Sequence, residues 1–269
     1  MTIATLDDAI LGVKPTQYYF KAVSGTLVAA RPFSPFYTAG IPGPAVAPTP
    51  GLAGAALTSY AGQIPFPAAV GGDTIHLAGF WASTGAQTGT FLLCDRLWHN
   101  SGINITLNTA QTINSVTLPA RDNTGTTDGA GVYAGVEIST ATGVGTPTIN
   151  LSYTNQAGTA GRASSNSVLT VASSAIGTFY PIGLQAGDTG IRSIQTYTQT
   201  ATWTSGTLHL VMYRILARVE CPIAAAGEQL TLLTSGLPRL YDNTVPFIIF
   251  IPNTTTTTTI AAGATFTQN

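Results

Sequence analysis

The chain has 269 residues, of which 44% are hydrophobic and only 8% charged, and its formal net charge is -1; an ordinary soluble domain is about 25% charged. Disorder needs high net charge and few apolar residues, so this composition excludes a disordered chain. The two lysines, Lys14 and Lys21, and the scattered arginines form no basic stripe, which excludes nucleic acid as the main partner.

In chain order, Thr5 to Gly12 predicts a short helix, with Thr5 as its N-cap, Asp7 and Asp8 in the first turn and Gly12 as the stop. Tyr18 to Val23 reads as a strand closed by Ser24-Gly25, with Thr26 to Ala30 as a hairpin return. From Arg31 to Ala69 prolines recur among Gly, Ala and aromatic residues. Proline donates nothing to a ladder and fixes its own backbone angle, so an extended segment is expected there, with Leu52 to Tyr60 as a short helix.

The strand pattern starts after Gly71-Gly72-Asp73. Candidate strands are Thr74 to Trp81, Gly89 to Trp98, Ile103 to Leu107, Gln111 to Leu118 and Val132 to Thr140, then Thr148 to Thr154, Val168 to Ala172 and Thr178 to Leu184. Ile194 to Leu216 reads as a hairpin turning at Thr204-Ser205-Gly206, with Leu208, Leu210 and Met212 on one face and His209, Val211 and Tyr213 on the other. Phe247 to Ile251 is continuously apolar and needs cover on both faces, from its own chain or from a neighbour. The expected fold is all-β, a jelly-roll-like antiparallel β-sandwich. Residues 1–70 are expected as an N-terminal arm, 71–219 as the sandwich core and 220–269 as a C-terminal arm or added strands.

Chemistry is sparse. Asp122 to Asp128 lacks the ligand order of a calcium loop and reads as an Asx-type turn. His76, His99 and His209 lack the paired spacing of a zinc site. Cys94 and Asp95 point to opposite faces of a regular strand, which argues against a nucleophile assembled with His99. Arg96, Arg121 and Arg192 are expected to pair with Asp95, Asp122 and Asp188, and Cys94 and Cys221 to be buried free thiols. Trp81, Trp98 and Trp203 read as core aromatics before a sugar-stacking platform. No enzyme, metal or cofactor is expected. The opening MTIATLDDAILG has no basic region followed by a long apolar run, so synthesis in a host cytoplasm without membrane insertion is expected.

A lone monomer with so few charges would be poorly protected against association, so much of the surface is expected to be committed to neighbours. The contact residues expected are Tyr18, Tyr19, Phe20, Phe33, Phe36, Tyr37, Phe247 and Phe250.

The segments TGTFLLCDRLWHNSG at 88–102, LPARDNTG at 118–125, YTNQAGTAGR at 153–162 and FYPIGLQAGDTG at 179–190 resemble virion structural proteins of tailed bacteriophages. The resemblance spans roughly residues 15–260 and implies a β-rich capsid decoration, or cement, protein of the virion. It further implies a homo-oligomer, a trimer, that binds the major capsid protein or other virion subunits, with arms spread over its neighbours. The alternative is a carbohydrate- or receptor-binding tail or fibre module.

Overall fold

A computed structural model describes residues 3–165 and 170–269. The chain begins with the helix α1 (Leu6–Leu11), and the strands follow as β1 (Gln17–Leu27), β2 (Gly40–Ile41), β3 (Ala55–Ala56), β4 (Ile75–Thr84) and β5 (Gly89–His99). Next come β6 (Gln111–Thr112), β7 (Val132–Thr140), β8 (Ile149–Asn155), β9 (Arg162–Ala163), β10 (Phe179–Ile182) and β11 (Ile191–Gln199). The last are β12 (Thr207–Cys221), β13 (Glu228–Leu230), β14 (Arg239–Leu240), β15 (Pro246–Pro252) and β16 (Thr256–Gln268). The long pairs, β1 with β16, β4 with β16, β5 with β15, β7 with β12 and β8 with β11, all run antiparallel. The all-β sandwich expected from the sequence is the fold observed.

The chain divides into two compact units, residues 1–46, 58–95 and 215–269 in one, and 47–57 and 96–214 in the other. In the first unit the sheet β13-β4-β16-β1-β2, with β14 also on β4, packs its inner face against β15 and the first-unit residues of β5 and β12. Tyr19, Phe80 and Phe266 from one layer meet Phe91, Leu216 and Phe250 from the other. In the second unit the four-stranded sheet β6-β11-β8-β9 packs on β10, β7 and the second-unit residues of β12 and β5. Tyr153, Tyr197, Leu208, Leu210 and Met212 lie in that core.

Residues 1–70, expected as an arm, supply β1 to β3, and 220–269, expected as an arm or added strands, supply β13 to β16. The cover that β15 requires comes from its own chain. Phe33 and Phe250 exchange both backbone hydrogen bonds at 2.8 Å, Ile64 N–H donates to Pro246 O at 2.9 Å, and Phe36 packs edge-on against Phe247 with ring centroids 6.0 Å apart. The proline-rich stretch is extended only in part, since it holds a 3-10 turn at Pro35–Tyr37 and the short strands β2 and β3, and its Phe33 and Phe36 turn inward. Proline removes its own donor and leaves those of Phe33 and Ile64 to pair.

Several elements differ from the sequence reading. The expected hairpin at Ile194 to Leu216 is two strands in different sheets, β11 beside β8 and β12 beside β7. Between them Trp203 is fully buried and its indole N–H donates to Val171 O at 3.2 Å, so the link plugs the core instead of turning tightly. Gly206 has its positive φ, but a Cβ there would lie 2.7 Å from Thr142 Cα, so close passage of the chain is the further reason for glycine. Ser24 and Gly25 lie inside β1 at a register shift, with no hairpin return after them.

Leu52 to Tyr60 forms no helix: Gly51 and Gly54 have positive φ, and Ala55 and Ala56 pair with His99 and Trp98. Ile103 to Leu107 is a loop with Ile103 and Ile105 buried, and only Gln111–Thr112 of the next predicted strand is one. Val168 and Leu169 lie outside the described residues, and 170–172 are not strand. Helix α1 keeps its expected cap: Thr5 Oγ1 accepts from Asp8 N–H at 3.1 Å while the Asp8 carboxylate accepts from Thr5 N–H at 3.0 Å.

Candidate binding surface

Of the expected contact residues, Tyr19, Phe33, Phe36, Phe247 and Phe250 are buried in the chain's own core and offer no surface to a partner. Tyr37 and Phe20 are half-buried, and Tyr18 is 47% exposed. Alternation along β1 explains the split, because Tyr19 faces the core while Tyr18 and Phe20 share the outer face.

That outer face joins residues the sequence named separately, Tyr18 and Phe20 as contact residues and Trp81 as a core aromatic before a sugar-stacking platform. Register places Gln229 of β13, Trp81 of β4, Gly263 of β16 and Tyr18 of β1 in one row across the sheet. The next row carries Ser83, Ala261, Phe20 and the exposed Ile41. Trp81 and Tyr18 have ring centroids 6.3 Å apart and planes inclined by 36°. A Cβ on Gly263 would sit 2.2 Å from Trp81 Nε1, so the indole lies down across the strand where glycine leaves room. Trp81, Ser83, Gly227, Glu228 and Gln229 line a shallow depression of about 270 Å³ beside it. A second depression, about 190 Å³, shares Gln229 and reaches Val13, Leu232 and Thr265.

The expectation that all three tryptophans are core holds for Trp98 and Trp203, which are fully buried, and fails for Trp81, which is only half-buried. Phe80 and Trp81 are neighbours in one strand, so one of them had to face outward; that was the available signal.

At one end of the same unit, Ala9 tucks α1 against β16, where Thr267 Oγ1 donates to Ala9 O at 2.6 Å. This orientation leaves Leu6 at 50%, Ile10 at 52% and Leu11 at 83% exposure, with Val13 exposed just beyond.

The polar candidates serve the fold. Asp122 accepts from the backbone N–H groups of Thr124, Thr126, Gly129 and Ala130 and from the hydroxyls of Thr124 and Thr126, at 2.8–3.1 Å. Burial opposes its ionisation, but the hydrogen bonds from Thr126 and Thr124 prevail and hold its pKa at about 2. Its oxygens are already occupied, as an Asx-type loop requires. Among the described residues no group of three or more His, Cys, Asp or Glu is placed to hold a metal.

The expected pairs of Arg121 with Asp122 and of Arg192 with Asp188 are redrawn. Arg96 pairs with Glu137 at 2.8 Å, both fully buried, Arg192 pairs with Asp128 at 3.3 Å, and Asp188 goes to Arg162 at 2.9 Å. Arg121 donates to Leu57 O at 2.7 Å. Asp188 also accepts from Asn155 and the Tyr153 hydroxyl, and Gln156 Oε1 accepts from Thr189 and Gly190 N–H, so the turns at 156–162 and 185–192 are bonded to each other.

Burial first, then Arg96 and His209, pushes the His99 pKa down to about 2. The His209 ring is buried with both nitrogens engaged: Nδ1 meets Asn100 O at 2.9 Å and must carry the proton, so Nε2 accepts from Ser139 Oγ at 2.7 Å. Cys94 and Cys221 are free and buried as expected, and burial, reinforced by Asp95, drives the Cys94 thiol pKa well up, away from a nucleophilic thiolate. No helix among the described residues is long and apolar enough to cross a membrane.

No family model matches the sequence, and no curated protein matches it. The solved structures it is similar to include those of infectious bursal disease virus, Gt strain and Gx strain, each at 8% identity and a TM-score of 0.20. The alignments cover 95% and 96% of this chain and 82% of each of those chains. At that TM-score the likeness carries no argument about fold or function.

Proposed function

We propose that this chain is a virion structural protein that decorates a phage capsid and stabilises it by binding across subunit boundaries. The observation that carries the reading is the apolar stripe at the N-terminal end of the first unit, where Leu6, Ile10, Leu11 and Val13 face solvent. Leu6 and Ile10 stand one helical turn apart on a helix already docked through Ala9, so their exposure is not the back of a core contact. Contiguous apolar surface on a chain with few charges is the signature of a contact site. A modest affinity at each copy is multiplied when many copies bind one shell.

The test is light scattering and co-sedimentation of the purified chain with and without empty capsids of its virus. A trimer that pellets with shells, together with an at least tenfold loss of shell binding in Ile10→Asp/Leu11→Asp at unchanged circular dichroism, is the expected outcome. An oligomer that ignores shells and pellets with host cells overturns it.

A further inference from the structure

The outer face of the sheet β13-β4-β16-β1-β2 holds a feature that shell binding does not use. Trp98 and Trp203 are sealed in the core with their indole N–H groups donating to Ala53 O at 3.0 Å and Val171 O at 3.2 Å. Trp81 differs on both counts: it is only half-buried on the outer face, and its N–H makes no hydrogen bond among the described residues. A large aromatic that lies flat on a sheet and keeps a free donor at its edge is what a ring-shaped, amphipathic ligand requires.

We propose that Trp81, Tyr18, Gln229 and Ser83 form a binding site for a neutral hexopyranoside, a sugar of a glycan chain. A pyranose presents one face of C–H groups and an equatorial rim of hydroxyls. The C–H face stacks on the Trp81 indole, and Tyr18, 6.3 Å away and tilted by 36°, extends the platform to a second ring. The rim needs groups that both donate and accept. Gln229 stands directly across from Trp81 on the same face, and Ser83 follows it two residues along β4. Neither side chain makes a hydrogen bond among the described residues, so both are free for a ligand.

The depression of about 270 Å³ beside Trp81 lies just under the roughly 300–1,000 Å³ of drug-sized pockets, which fits one sugar ring, and Tyr18, outside its lining, is left to the second. No cation lines it, and Glu228 at its rim disfavours an anionic sugar, so the chemistry selects a neutral one. Gly263 is the positioning residue, since any side chain there would lift the indole off the sheet.

The site stands apart from the capsid reading, and its failure would leave shell binding untouched. The experiment is titration calorimetry of the full chain against the methyl glycosides of glucose, galactose, mannose and N-acetylglucosamine, alongside a glycan array with neutral and sialylated members. Expected is saturable millimolar binding to at least one neutral sugar, lost in Trp81→Ala, weakened about tenfold in Gln229→Ala and absent for the sialylated members. Circular dichroism and the unfolding midpoint check that both variants keep their fold; Gln229 lies on a short edge strand, so its variant stays informative if Trp81→Ala is perturbed. The proposal is overturned if no sugar binds, if binding survives in Trp81→Ala, or if Trp81→Ala abolishes self-association of the chain without changing any sugar isotherm.

Discussion

The carboxylate of Asp122 should hold the 122–130 loop by itself, and replacing it should cost more than any surface substitution. Oδ1 accepts from Thr124 N–H, Thr126 N–H and the Thr124 hydroxyl, while Oδ2 accepts from Gly129 N–H, Ala130 N–H and the Thr126 hydroxyl. In Asp122→Ala the hydroxyls turn to water, but the buried Gly129 N–H cannot, and an orphaned buried donor costs about 1–3 kcal/mol. With the partly buried donors added, the loss is about 3–5 kcal/mol, or a fall of roughly 10 °C in Tm for a chain of this size.

Asp122→Asn should be nearly as damaging. The amide keeps one acceptor and turns an NH2 toward donors, which no flip corrects. The pH dependence follows from a folded pKa of about 2 against 3.8. A depressed carboxyl contributes stability above the unfolded value and loses it as pH falls through the folded one. Discounted for solvent screening, the contribution is about 1–2 kcal/mol. Urea unfolding followed by tryptophan fluorescence, with Trp98 and Trp203 in the same unit, reads both effects. The gap between wild type and Asp122→Asn should be constant above about pH 5 and narrow between about pH 4 and 2. An Asn variant within about 2 °C of wild type in Tm, or a gap that does not narrow, would show that the carboxylate does not hold the loop.

Phe250→Ala should destabilise the first unit by about 3–5 kcal/mol, read as a lower urea midpoint at unchanged slope, since Phe250 is fully buried and stacked on Phe91 with centroids 4.5 Å apart. Lys21 is buried with its ammonium donating to Thr38 O, Pro42 O and Gly43 O, and burial lowers its pKa to about 8. Between that value and the unfolded 10.5 the unfolded chain binds more protons, so wild-type stability should rise from pH 8 toward 10.5. Lys21→Met should be about 1–3 kcal/mol less stable at neutral pH and lack that rise, as denaturant unfolding across the window would show.

What the sequence made legible were properties of single segments. Leu208, Leu210 and Met212 alternate with His209, Val211 and Tyr213 and enter the core as a face, and the unbroken apolar run of β15 is covered on both sides. Pairing was hidden, because a period of two says which side chains share a face and nothing about which strand lies alongside. β11 and β12 therefore read as a hairpin although they belong to different sheets. The proline-rich stretch read as an arm for a related reason: its prolines announce extended backbone, and only the third dimension shows that Phe33 finds Phe250. For the binding surface, Phe80 and Trp81 gave away that one aromatic must face out, but the glycine that lets it lie down sits far along the chain at Gly263.

The placement of charge supports the assembly reading more strongly than its amount. The chain carries ten lysines and arginines and eleven acids, and seven of these are buried: Lys21, Asp95, Arg96, Arg121, Asp122, Glu137 and Arg214. Arg96 and Glu137 neutralise each other inside the second unit, and Asp122 organises a loop. Each buried charge is one fewer to keep copies apart, so the exposed surface is poorer in charge than the composition alone implies. Hydroxyl- and amide-rich surface of this kind carries little electrostatic cost of desolvation when it meets another surface, whereas ionised groups must be paired or lose heavily. A surface so constituted is suited to being covered, and the α1 stripe, where Leu6, Ile10, Leu11 and Val13 stand exposed together, is one place where covering would begin.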